Sequence, residues 1–233
     1  SVVSGVLDPA WANITDPDAL AVAKLTVGPL ASKFMLCDKA RPPQLDGKLD
    51  DACWKNAAVY SDFHKLGTGK PAEFRTEVRA SHDGERLYVA VRCHQDTNVL
   101  LAWTHGRDDR VWREDGVEFL INRLSDTTKE QRCQIILNTK GNIWDYYNGD
   151  QKWDGDIKTG IAIEPTFYTI EASLPLKDIG ITPGKERFIR FNVSRNVYAR
   201  KELRIGEEKE ISGWYPSDDN LNPKSRGWLV LNP

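Results

Sequence analysis

Short runs that alternate between apolar and polar residues, or are wholly apolar, recur through the chain and are cut apart by turn-forming tripeptides. These are His82-Asp83-Gly84, Lys140-Gly141-Asn142, Asn148-Gly149-Asp150, Asp154-Gly155-Asp156 and Thr182-Pro183-Gly184. Gly, Asn and Asp accept left-handed backbone or bond their own main chain, so such clusters end strands and start turns. The spacing predicts strands at Arg75 to Ser81, Arg86 to Gln95, Gly116 to Arg123, Arg132 to Thr139, Asn142 to Tyr147, Ile157 to Ile163, Phe167 to Leu174, Arg187 to Val197 and Gly227 to Leu231. Helix is confined to a turn near Asp50 to Asn56 and another near Leu176 to Ile179, after Pro175. The expected fold is all-β, an antiparallel β-sandwich spanning 44–233. Ahead of it, residues 1–43 carry breakers at Asp16-Pro17, Gly28-Pro29 and Pro42-Pro43 and read as an irregular extension packed on the main body. The charged run Lys201 to Glu210 reads as a solvated loop or hairpin tip.

Charge and hydropathy remove several classes of partner. The 32 Lys and Arg nearly balance the 34 Asp and Glu, giving a net charge of −2 over 233 residues. That lacks the basic footprint of a nucleic-acid or anionic-membrane binder. The longest weakly polar stretch, Ala19 to Leu36, is interrupted by Lys24, Gly28-Pro29 and Lys33, so no membrane span is expected. The start Ser1-Val2-Val3 has neither an initiator Met nor a basic and then apolar leader, which reads as a processed or trimmed chain. Cys37, Cys53, Cys93 and Cys133 show no CxxC spacing and no neighbouring His at zinc-finger distances. Four cysteines allow three disulfide connectivities, while Cys93 and Cys133 sit in apolar runs that suit buried thiols equally well.

Alternation sorts the strand residues by face. Val117, Phe119 and Ile121 oppose Glu118, Leu120 and Asn122; Cys133, Ile135 and Leu137 oppose Gln134, Ile136 and Asn138. Tyr168, Ile170, Ala172 and Leu174 likewise oppose Thr169, Glu171 and Ser173, and Ile189, Phe191 and Val193 oppose Arg190, Asn192 and Ser194. If the strands share one sheet, Glu118, Gln134, Asn138, Glu171 and Asn192 line a single face. An antiparallel sheet often leaves one side to solvent. Amides and carboxylates, however, offer the paired donors and acceptors that sugar hydroxyls need, and an indole packs against a sugar's C–H face. The chain carries eight Trp, and Trp112 lies in the loop feeding the strand of Glu118.

At several points the chain resembles carbohydrate-binding module family 9 and its close relatives. Gln44-Leu45-Asp46-Gly47-Lys48-Leu49-Asp50-Asp51-Ala52-Cys53-Trp54 is similar to the family's opening motif IDGxLDExxW. Thr76-Glu77-Val78-Arg79, Leu87-Tyr88-Val89-Ala90-Val91 with Asp96, and Val111-Trp112-Arg113-Glu114-Asp115-Gly116-Val117-Glu118-Phe119 continue it. So do Tyr168-Thr169-Ile170-Glu171-Ala172 with Leu174-Pro175, Phe191-Asn192-Val193-Ser194-Arg195, and Gly227-Trp228-Leu229-Val230-Leu231. The resemblance implies a β-sandwich, non-catalytic binding of an oligosaccharide or polysaccharide, and structural calcium without an organic cofactor. It also implies a secreted, periplasmic or cell-surface setting, with an appended or associated glycan-degrading enzyme as partner.

In that family a sugar sits between two aromatic rings. Trp112 matches the first ring, Glu118 a neighbouring acid, and Ser194 falls where a binding amide stands. Ile136 occupies the position of a sugar-binding arginine, and the second ring falls near Leu221 or Asn222, leaving Trp153 or Trp214 to complete a clamp. The expected binding set is Trp112, Glu118, Gln134, Asn138, Trp153, Glu171, Asn192, Ser194 and Arg195. For calcium, which takes six to eight oxygens, Asp108, Asp109 and Asp115 are the expected ligands. Glu118 and Glu171 could also form a glycosidase pair, but the chain has no GxSxG, HExxH or P-loop motif. Two further alternatives are a haem-b electron-transfer domain ligated through His94 or His105, and a structural module that no longer binds sugar.

Overall fold

The computed structural model describes residues 33–182, 185–201 and 204–233. Residues 1–32 of the expected extension, and Pro183 and Gly184 of the last turn signal, lie outside the described residues. Among the described residues the chain is nearly all β. Its strands are β1 (Phe34–Lys39), β2 (His64–Lys65), β3 (Thr76–His82), β4 (Arg86–His94), β5 (Gly116–Asn122), β6 (Cys133–Asn138), β7 (Ile143–Tyr147), β8 (Lys158–Glu164), β9 (Phe167–Pro175), β10 (Phe188–Lys201), β11 (Arg204–Gly213) and β12 (Gly227–Leu231). The helix α1 (Ala52–Asn56) and the 3-10 turn Leu176–Ile179 fall where the sequence places them. All nine expected strands are present; of the charged run, Lys201 ends β10 and Arg204 to Glu210 lie in β11, while residues 202 and 203 lie outside the described residues.

The strands join in the order β7-β6-β5-β10-β12-β1-β3-β4-β9-β8, with β11 beside β10 and β2 beside β11. Every named pairing is antiparallel except those of β1, which runs parallel to both neighbours. Its first part, Phe34 to Cys37, pairs with Trp228 to Leu231, and its end, Asp38 and Lys39, pairs with Ser81 and His82. The expectation that residues 1–43 are irregular therefore fails at 34–39. Phe-Met-Leu-Cys is a short apolar run whose length alone does not separate strand from loop, and its partners lie far away in sequence.

By changing partners midway, β1 couples two halves of a curled sheet. The inward positions of β5, β6, β10 and β12 (Val117, Phe119, Ile135, Leu137, Phe191, Val193, Leu229) share one core with those of β3, β4 and β9 (Val78, Val89, Val91, Ile170, Ala172). This is the alternation read from sequence, with odd residues of β5, β6 and β10 facing in. Each large aliphatic side chain buried this way contributes about 1.5–3 kcal/mol.

The outer faces differ between the halves. Over β4 and β9 lies the segment that opens the main body, where Trp54 and Cys53 of α1 pack on Tyr88 and Ala90. Its approach requires glycine on both sides. A Cβ on Gly47, whose φ is +81°, would fall 2.3 Å from Ala162 N, and one on Gly160 would fall 2.3 Å from Leu45 C. The outer face of β5, β6, β7 and β10 is instead bordered by the loops 101–115 and 214–226, with Trp112 exposed, Trp144 half-buried and Tyr146 buried.

Candidate functional site

Register determines which side chains meet on this face. Glu118 of β5 lies opposite Ile136 of β6 and Ser194 of β10, while Leu120 lies opposite Gln134 and Asn192. The Lys140-Gly141-Asn142 turn then brings Trp144 opposite Ile136 and Tyr146 opposite Gln134. An aromatic row thus runs along β7 beside a polar row on β6 and β5. Trp112, in the 3-10 turn Val111–Arg113, meets Trp144 edge-on with ring centroids 5.7 Å apart. Trp144 in turn lies near-parallel to Tyr146 at 6.4 Å and 12°. Trp112 is 39% exposed, enough to offer ring surface to a ligand. Its backbone is fixed by the Tyr198 hydroxyl, which donates to Trp112 O at 3.0 Å.

The polar row is a connected network. Gln134 donates from Nε2 to Glu118 Oε1 and accepts at Oε1 from Arg132 Nε at 2.7 Å. The Arg132 guanidinium lies 4.1 Å over the Tyr146 ring, tying the network to the aromatic row. From the other side, Asn220 reaches Glu118 Oε2 at 3.4 Å. Arg226 donates to Asn122 Oδ1 at 3.1 Å and to Asn220 O at 2.6 Å, fixing the 214–226 loop onto the sheet. Ser194 Oγ and Arg226 Nη2 are buried with no hydrogen-bond partner among the described residues.

Electrostatics follow from this burial. Desolvation pushes Glu118 above the ordinary carboxylate range, opposed by the Gln134 hydrogen bond and by Arg226. The same burial lowers Arg226 to about 10, with Glu118 opposing the shift and Arg132 adding to it. For an acid whose folded pKa is raised, the native state holds more protons than the unfolded chain just above the ordinary carboxylate range. Stability contributed by Glu118 is therefore present at acid pH and lost as pH rises through its folded pKa. In Glu118→Gln, the fall in thermal midpoint between mildly acidic and neutral pH is expected to flatten relative to the parent. An unchanged pH profile would remove Glu118 as its source.

The structure divides the expected binding residues. Trp112, Glu118, Gln134 and Ser194 are brought together. Asn192 and Asn138 share the face but are committed to loops. Asn192 holds Tyr215 through its backbone, with Tyr215 N donating at 2.8 Å. Asn138 donates to Glu114 Oε2 at 2.6 Å and accepts from Lys140 N and Asn142 N.

Glu171, Arg195 and Trp153 are not part of the site. Glu171 lies on β9, on the outer side of the other half, where it accepts from Asp46 N, Gly47 N and Trp54 Nε1. It and Glu118 stand on opposite sides of the core, so they form no glycosidase pair. Arg195 has the inward parity of β10. It is fully buried and donates to Arg75 O, Thr76 Oγ1, His94 O and Gln95 Oε1. Trp153 packs on the core side of β7 against Tyr147 at 5.3 Å, and Trp214 is buried against Tyr60. Trp144, Tyr146, Arg132, Asn122, Asn220 and Arg226 are the site residues that sequence reasoning missed. For the two aromatics the signal was present, since the 140–142 turn fixes their register.

The acids expected to hold calcium are dispersed in role. Asp115 is wholly buried and accepts from Leu101 N, Gln95 Nε2 and Tyr198 N, while Asp109 accepts from Arg110 N. Asp108 has left-handed backbone and its N–H donates to Ile143 O. Among the described residues no group of three or more His, Cys, Asp or Glu could hold a metal ion. An Asp108, Asp109 and Asp115 cage does not fit these contacts. His94 lies 3.4 Å from Glu77 and against the Phe167 ring, while His105 is exposed. All four cysteines are free and buried, and no helix among the described residues is long and apolar enough to cross a membrane.

The described residues thus form a nearly all-β domain in which Trp112, Trp144 and Tyr146 stand beside a carboxylate–amide network on one face of a curled sheet. Residues 45–232 match the model of the carbohydrate family 9 binding domain-like family, and the chain belongs to that family. Among solved structures it is similar to a carbohydrate-binding module family 9 from Caldicellulosiruptor kristjanssonii in complex with cellotriose. The two are 16% identical with a TM-score of 0.65, covering 86% of this chain and 94% of that one. The glucose complex of a family 9 module from the same organism matches at the same identity and TM-score, covering 96% of that chain. A Bacteroides uniformis protein follows at 14% identity and TM-score 0.62, covering 99% of that chain. At these identities the likeness is one of fold. No curated protein matches the chain.

Proposed function

We propose that this domain binds an oligosaccharide or polysaccharide on the outer face of β5, β6 and β7 and catalyses nothing, the curled sheet acting as the two layers of a β-sandwich. The observation that carries this reading is the Trp112–Trp144–Tyr146 row lying against the Glu118–Gln134 network on one face. A sugar ring presents C–H groups to an indole and hydroxyls at its rim; Trp112 and Trp144 offer the first kind of partner and the Glu118–Gln134 pair on the same face the second. Family membership and the sugar complexes of the similar modules support it. On this reading the domain works outside the cytoplasm, beside an enzyme that degrades the glycan.

Intrinsic tryptophan fluorescence titrated with a panel of oligosaccharides tests the proposal. Saturable quenching or a blue shift is expected, with affinity of order micromolar to millimolar after ordering costs. No response to any member of a broad glycan panel would overturn it, and a Soret band in the purified protein would favour the haem alternative.

A further inference from the structure

Three arginines, Arg132, Arg190 and Arg226, stand at the lower end of this face with few carboxylates to match them. Arg132 lies over Tyr146 and Arg190 lies 4.8 Å over Trp228. Arg190 also pairs in register with Asn122, the residue that takes the Arg226 Nε hydrogen bond. Glu118 is the carboxylate that opposes them within the network. The nearby Asp219 is already paired with Lys129 at 2.5 Å, and none of the three arginines makes an ion pair among the described residues. Drawing guanidinium groups out of water without matching anions is costly, and here Arg226 is 3% exposed with Nη2 unpartnered. Guanidinium suits carboxylate in particular, because a charge-assisted hydrogen bond is roughly twice as strong as one between neutral groups.

We infer that the saccharide bound here carries a carboxylate: a uronate-containing glycan whose ring lies on the Trp112–Trp144 surface and whose carboxylate meets Arg132, with Arg190 and Arg226 supplying the surrounding positive field. This rests on the carbohydrate reading above and names its ligand class. Arg132 is fixed for the task, since Nε is held by Gln134 and Nη1 by Lys129 O at 2.6 Å, leaving Nη2 to a ligand.

The test compares cellotriose with the trimer of the same linkage oxidised at C6 to glucuronate, by calorimetry at low and at raised salt. The acidic trimer is expected to bind about tenfold tighter at low ionic strength and to lose most of that advantage at about 0.5 M salt. Arg132→Gln is expected to abolish the preference, and Arg132→Lys, which retains the charge, to restore part of it. Should either fold poorly by circular dichroism, Arg190→Gln, on a separate strand, is expected to reduce the preference and its salt dependence. Equal or tighter binding of the neutral trimer would overturn the uronate inference and leave the carbohydrate reading intact. Absence of binding by either trimer, and by a broader panel of neutral and acidic glycans, would overturn both.

Discussion

Glu171→Ala is expected to lower the unfolding free energy by about 3–5 kcal/mol, although this residue lies across the core from the candidate site. Its carboxylate accepts from two consecutive backbone amides, Asp46 and Gly47, and from the Trp54 indole. Hydrogen bonds to a charged acceptor are worth about 1.5–3 kcal/mol each, and buried donors left without one incur a further penalty. The alanine variant also detaches the segment that covers β4 and β9, exposing Trp54 and Tyr88. For a chain of this length the loss corresponds to a fall in thermal midpoint of about 10 °C. Glu171→Gln, which retains one acceptor oxygen, is expected to fall between the two. Chemical denaturation measures the difference, and an alanine variant as stable as the parent would show that the opening segment is held by other contacts.

The second large effect concerns binding. Trp112→Ala is expected to weaken glycan affinity about 30-fold, or roughly 2 kcal/mol, as truncation of a central aromatic anchor commonly does. It should leave the thermal midpoint within a few degrees, because the ring is 39% exposed and packs mainly on Trp144. Trp144→Ala is expected to remove binding as completely but to cost some stability as well, since Trp144 is half-buried between Trp112 and Tyr146. Affinity unchanged in both variants would remove the aromatic row from the site.

Much of the fold is legible because it obeys period-two alternation. The turn tripeptides mark where β3, β4, β6, β7 and β8 start or stop, and the inward residues of β5, β6, β9 and β10 are those that alternation selects. Alternation gives a face but not a location. Glu171 and Glu118 have the same outward parity, and sequence could not tell that β9 belongs to the other half of the curl. Arg195 was misassigned although its parity already set it inward, beside Val193 rather than Asn192. The role of Glu171 was present in pieces, since Asp46-Gly47, Trp54 and Glu171 all fall in motifs shared with the family. What the motifs lacked was the statement that the opening one docks onto Glu171. Asn220 and Arg226 were beyond reach because a loop carries no periodicity, and its fold over Glu118 depends on tertiary contacts.

The parallel strand β1 has a consequence for the order in which the molecule can be made. It sits between β12 and β3, and Phe34 pairs with Trp228, close to the end of the described chain. During synthesis β1 leaves the ribosome well before β12, the strand that completes its first ladder. Until then its Phe-Met-Leu-Cys edge has no partner on that side, and an unpaired apolar edge invites association with other chains. Closure over such a sequence separation is entropically slow. Nascent chains arrested before Gly227 should therefore remain protease-sensitive along their whole length and depend on chaperones, with resistance appearing only once β12 has emerged.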